Sequence, residues 1–151
     1  ADGADFVANA EAAQFDVIIS DSTDPIGPGE VLFTQDFYAQ AKRLLRPGGV
    51  MVTQNGVAFM QLDEVRATAR RMSRLYKDAT FYSAAVPTYY GGIMTFAWGS
   101  NDPALRSVDA QTLEHRYKVS GISTRYYTPE IHKASFALPK YIVDALAGAR
   151  V

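Results

Sequence analysis

The 151 residues have the length of one ordinary domain and can bury a core, and a hydrophobic fraction of 48% with 21% charged residues excludes a disordered chain. The 15 basic and 16 acidic residues leave a net charge of -1, so no overall field draws the chain to nucleic acid or anionic membrane. With no cysteine, disulfides, thiolate metal sites and cysteine nucleophiles are excluded together.

Two histidines, His115 and His132, lie too far apart in sequence to suggest a metal site. No apolar run reaches the roughly 18 residues of a membrane span, and Ala1-Asp2-Gly3-Ala4-Asp5 lacks the basic start and apolar core of a signal peptide. The composition predicts a soluble, cytoplasmic protein with neither nucleic acid nor membrane as partner.

The first predicted element is Phe15-Asp16-Val17-Ile18-Ile19-Ser20, an apolar, β-branched run that ends in Asp21 and a Pro/Gly-rich loop, as a buried parallel strand does. Thr34 caps a predicted helix with Phe37, Tyr38, Ala41, Leu44 and Leu45 on one face, stopped by Pro47-Gly48-Gly49. Val50-Met51-Val52-Thr53-Gln54 reads as the next strand. Leu62, Val65, Ala69, Met72 and Tyr76 then mark one face of a second helix. Its arginines lack the aromatic interleaving of a nucleic-acid patch and read as a solvated face.

Residues 81–86 and 93–98 are strand-like and joined by Pro87-Thr88-Tyr89-Tyr90-Gly91-Gly92, a connection short enough for an antiparallel pair. Beyond Trp98 the pattern predicts a helix around residues 109–119, an irregular Tyr-rich stretch, and a last helix opened by Pro139. Alternating strands and helices imply half of a doubly wound α/β sheet with an antiparallel edge hairpin. Asp21 and Gln54 end two strands at the edge of the sheet where such folds bind ligands.

Asp21 and Asp24 flank Ser22 and Thr23, and Pro25, Gly27, Pro28 and Gly29 predict a restricted, largely extended loop. Two carboxylates aimed into one crevice suit a cationic substrate. Taken alone, such a pair more often caps the loop backbone, Gln54 is an ordinary strand end, Asp2-Gly3 is a common turn, and Tyr89 packs a turn.

The run Asp21-Ser22-Thr23-Asp24-Pro25-Ile26-Gly27-Pro28-Gly29-Glu30-Val31-Leu32-Phe33 resembles the signature of the spermidine synthase (polyamine aminopropyltransferase) family. Gln54-Asn55-Gly56, Pro87-Thr88-Tyr89-Tyr90-Gly91-Gly92, Arg125-Tyr126-Tyr127, Ile131-His132 and Phe136-Ala137-Leu138-Pro139 are similar to bacterial members, in order along nearly the whole chain. The resemblance implies the C-terminal half of a Rossmann-like sheet of the class I methyltransferase type. It also implies that residues 1–151 are the C-terminal part of the catalytic domain, without the family's N-terminal β-rich domain and first half of the nucleotide-binding sheet.

The implied reaction transfers an aminopropyl group from decarboxylated S-adenosylmethionine, a co-substrate, to putrescine, giving spermidine and methylthioadenosine with no prosthetic group or metal. Residue by residue, the resemblance implies that Asp21 accepts the proton of the attacking amine. Ser22, Thr23, Asp24, Gln54 and Tyr89 would contact the diamine, and Asp2, Gly3, Asp21 and Pro28 the nucleoside. His132 is read as structural. Family members are commonly homodimers or homotetramers. A non-catalytic polyamine- or nucleoside-binding module of the same fold is the alternative reading, and a methyltransferase is disfavoured because the paired aspartates suit a diamine.

Overall fold

The computed structural model describes residues 2–22, 25–88 and 92–149. Four strands, β1 (Phe15–Ser20), β2 (Leu45–Gln54), β3 (Asp78–Ala85) and β4 (Ile93–Ser100), form one sheet in the order β1-β2-β4-β3. β1 and β2 are parallel, and β4 runs antiparallel to both β2 and β3. The predicted hairpin does form the edge of the sheet. Its second strand turns inward to pair with β2, so β3 is outermost.

Helices α2 (Gln35–Leu44) and α3 (Leu62–Leu75) follow β1 and β2 and cover one face of the sheet. Thr34 caps α2 as expected, its hydroxyl accepting from the Phe37 N–H at 3.1 Å. α2 ends before the Pro-Gly-Gly turn, however. Leu45 is already extended and starts β2. Phe15 pairs with Leu45 and Val17 with Val50, so residues 46–49 form a bulge within the strand.

α6 (Lys140–Ala149) packs on α3 from outside; the Pro139 carbonyl accepts its first turn, from the Ile142 and Val143 N–H groups. The core lies between these helices and the sheet: Tyr38, Ala41 and Leu44 of α2, Val65, Ala69 and Met72 of α3, Ile142 and Leu146 of α6, and Met51, Phe81 and Ala97 of the strands. Burial of large apolar side chains there is the main driving force for the fold.

Four elements were not predicted as such, the smallest a 3-10 turn over Pro103–Ser107 that Asp102 caps. Asp2 caps a short helix, α1 (Gly3–Asn9), accepting from the N–H groups of Ala4 at 2.8 Å and Asp5 at 3.1 Å. The loop expected to be largely extended winds instead into a 3-10 helix over Gly27–Phe33, with Pro28 in its first turn; proline's fixed φ suits that position as well as an extended one. In the Tyr-rich region, α5 (Pro129–Ser135) is capped by Thr128, and Pro129 opens it. α4 (Ala110–Ser120), capped by Asp109, lies as predicted. No helix of the described residues is long and apolar enough to cross a membrane.

Candidate functional site

The C-terminal ends of β1 and β2 open into a cavity of about 340 Å³ lined by Ile19, Ser20, Asp21, Ser22, Gln54 and Tyr82, among others. Asp21, the residue after β1, is exposed and makes no hydrogen bond or ion pair among the described residues. An exposed carboxylate at a strand end can pair with a ligand cation or accept a proton.

Gln54 ends β2 and is buried. In the amide orientation that satisfies both its polar atoms, its nitrogen donates to the Ser22 carbonyl at 3.1 Å and its oxygen accepts from the Gly56 N–H at 3.2 Å. Gln54 therefore ties the loop that follows Asp21 to the end of β2. The Ser22 hydroxyl is itself buried and has no partner among the described residues.

The turn after Gln54 is built by its own sequence. Gly56 has a φ of +67°, which glycine adopts without strain, and a Cβ there would also have to displace the Gln61 side-chain oxygen, 2.3 Å away. That oxygen accepts from the Val57 N–H at 2.9 Å. Thr95 of β4 closes the turn from the other side, exchanging backbone bonds with Asn55 and Gly56.

Register brings a second set of residues to the same cavity. Gln54 pairs with Phe96, and Phe96 with Tyr82, so the three side chains form a row on one face. The Tyr82 and Phe96 rings stack with centroids 5.1 Å apart, and burial raises the pKa of the Tyr82 phenol. Val52, Val86 and Met94 complete the wall. None of these was singled out in the sequence. Alternation along the strands could have placed Phe96 with Gln54, but only once β4 was known to pair with β2.

A second cavity of about 350 Å³ adjoins the first, sharing Ile19 and Ser20. Its walls are apolar, including Gly3 and Phe6 of α1, Val17 of β1, and Leu32 of the 3-10 helix. A Cβ at Gly3 would meet Leu32 at 3.5 Å. The structure thus brings Gly3, Asp21, Ser22 and Gln54 around two joined cavities. Asp2 is occupied as the cap of α1, and Pro28 is exposed in the 3-10 helix. Thr23, Asp24, Tyr89 and Tyr90 lie outside the described residues.

His132 is half-buried in an aromatic cluster with Tyr127 and Phe136 and lines a separate, mainly apolar cavity that shares Val52 and Tyr82 with the first. Desolvation, and then the charge of Lys133, lowers its pKa. Among the described residues no group of three or more His, Cys, Asp or Glu side chains could hold a metal.

Comparison with known proteins bears on the family and the fold. The Spermine/spermidine synthase domain matches residues 1–110. A polyamine aminopropyltransferase of Pectobacterium carotovorum is 57% identical over 149 residues, covering 99% of this chain and 52% of the relative. Polyamine aminopropyltransferase 1 of Pseudomonas aeruginosa is 59% identical over 145 residues, covering 96% and 50%. A crystal structure of a spermidine synthase with the transition-state analogue AdoDATO superposes with a TM-score of 0.86 at 30% identity, over 97% of this chain and 49% of that one. The spermidine synthase of Thermotoga maritima gives 0.83 at 29% identity, over 97% and 48%. The chain spans about half the length of these relatives. With its match over residues 1–110 and this level of identity, the chain belongs to the spermine/spermidine synthase family.

Proposed function

We propose that the protein carrying this chain is a spermidine synthase, in which an amine of putrescine displaces methylthioadenosine from decarboxylated S-adenosylmethionine. The reading assigns this chain to the C-terminal part of the catalytic domain, and the N-terminal β-rich domain and the first half of the nucleotide-binding sheet to the remaining length of the relatives. The observation that carries it is the Asp21 carboxylate, without a partner among the described residues, beside the junction of a cavity of mixed polar and apolar lining and an apolar one.

An alkylamine resembles the lysine head, with a pKa of about 10.4, so at pH 7 it is protonated and not nucleophilic. Asp21 accepts its proton as general base. The nitrogen lone pair then forms a bond to the carbon next to the sulfonium, the carbon–sulfur bond breaks, and its electrons neutralise the sulfur of the leaving methylthioadenosine. A sulfonium leaves readily, so positioning supplies much of the remaining acceleration.

The cavity between Asp21, Gln54 and Tyr82 takes the amine in this reading. Tyr82 and Phe96 offer the aromatic faces that attract cations, and Asp24, with Thr23 and Tyr89, holds the distal ammonium. The apolar cavity beside Gly3 takes the nucleoside, bordered by Pro28 and with Asp2 at its rim. The reaction runs in the cytoplasm, in a homodimer or homotetramer.

The test is to incubate the full-length protein with both substrates and follow products by mass spectrometry, with cadaverine, agmatine and spermidine as rival acceptors. Spermidine and methylthioadenosine should form in equal amounts and putrescine should be preferred, although a pocket separates single methylenes by only about 1–3 kcal/mol. Tight calorimetric binding of putrescine and methylthioadenosine with no turnover would replace this reading with that of a non-catalytic binding module.

A further inference from the structure

β3 is the outermost strand on its side and, among the described residues, pairs only with β4. Backbone groups of an edge strand point alternately toward the neighbouring strand and away from it, and the outward ones are left without a partner. At the end of β3 the Val86 N–H donates to the Gly92 carbonyl across the hairpin at 3.3 Å. The N–H of Ala85, one residue earlier, therefore faces outward.

That outward group is taken by the Tyr126 hydroxyl, which accepts from the Ala85 N–H at 3.0 Å. Tyr126 comes from the segment between α4 and α5, 41 residues further along the chain. Two other contacts tie the same region to β3: the Ser83 hydroxyl donates to the Ser135 carbonyl at 3.4 Å, and Phe136 packs on the Tyr82 ring at 5.7 Å between centroids. Of the three, the Tyr126 bond lies nearest the point where β3 ends. Val86, the next residue, lines the cavity with Asp21, and Pro87 and Thr88 follow it toward Tyr89.

We infer that Tyr126 is a positioning residue for the acceptor amine: by holding the end of β3 it fixes Val86 and the start of the connection that carries Tyr89. The inference rests on the proposed aminopropyl transfer for its meaning, although the strut itself does not. Asp21 hangs from β1, and the walls of the apolar cavity come from α1, α2, β1 and the 3-10 helix. Neither depends on β3. Loss of the strut should therefore loosen the hold on the amine and leave the sulfonium donor and the proton transfer almost untouched.

Tyr126→Phe in the full-length protein removes only the hydroxyl. The KM for putrescine should rise about three- to tenfold, the size of effect of one neutral hydrogen bond, while kcat and the KM for the sulfonium donor change less than about twofold. Ala85→Pro removes the donor instead, and proline is tolerated on an edge strand whose N–H faces outward. In that background Tyr126→Phe should have little further effect.

An unchanged putrescine KM in Tyr126→Phe overturns the proposal, as does a parallel change in kcat and both KM values, which is what general loosening of the fold would give. Amide exchange at Ala85 reads the strut without turnover and should quicken in Tyr126→Phe. If wild-type protein transfers no aminopropyl group, the proposed function fails. Quickened exchange would then still establish the strut, and unchanged exchange would remove it as well.

Discussion

Met51, Phe81 and Ala97 face α2, α3 and α6 and are closed from solvent, whereas Ile19, Val52, Tyr82 and Phe96 face the opposite side and line the cavities. Both faces are apolar, yet Ile19 is 71% exposed and Phe81 only 1%. Apolar character in a strand therefore does not by itself mean core. On the inner face it supplies the free energy of folding; on the outer face it forms the walls into which Asp21 and Gln54 project their polar groups, the usual make-up of a small-molecule site.

The sharpest test of this contrast is Phe81→Ala, which empties a fully enclosed position and should cost about 3–5 kcal/mol in denaturant unfolding. Gly99→Ala comes next. A Cβ there would stand 2.6 Å from the Tyr76 ring and 2.7 Å from the Met72 methyl, so these side chains would have to shift within the core, at a cost of about 1–3 kcal/mol. Ile19→Ala on the outer face should cost only about 1 kcal/mol or less, while raising the KM of both substrates because Ile19 walls both cavities. A loss matching that of Phe81→Ala would mean that the outer face is covered as tightly as the inner one in the working protein.

The smallest effect concerns pH. The His132 pKa is lowered from its ordinary value of 6.5, so the unfolded chain binds this proton more readily than the folded one. The contribution to stability is complete above that value, declines as pH falls below it, and levels off once the folded pKa is passed. Thermal melts from pH 7.5 to 5 should show this decline, and His132→Phe should flatten it. An unchanged slope in the variant would remove His132 as its source.

The sheet strands and the helices α2, α3 and α4 were legible because their hydrophobic periods are local properties of the chain. The apolar run Phe15–Ser20 has the bounds of β1 itself, and chain order alone places Asp21 and Gln54 at neighbouring strand ends. α5 announces itself by Thr128 at the cap and Pro129 behind it, a signature obscured by the tyrosines before it. α1 begins at Gly3, a poor helix former, and is held largely by the Asp2 cap and by Val7 in the core.

The strand order was the deeper omission. A hairpin predicted from sequence can join a sheet by either strand, and only the packed structure shows that β4 is the inner one. The row of Gln54, Phe96 and Tyr82, and with it the wall of the candidate site, follows from that choice. The resemblance supplied what no period could, the role as general base proposed for Asp21.

That role is open to one direct measurement, the turnover of Asp21→Asn in the full-length protein with putrescine and decarboxylated S-adenosylmethionine. Asparagine keeps the size of the side chain but cannot accept the amine proton. A general base contributes about a hundred- to ten-thousandfold, and kcat should fall by that amount with the fold and nucleoside binding intact. Turnover within tenfold of wild type would contradict the account.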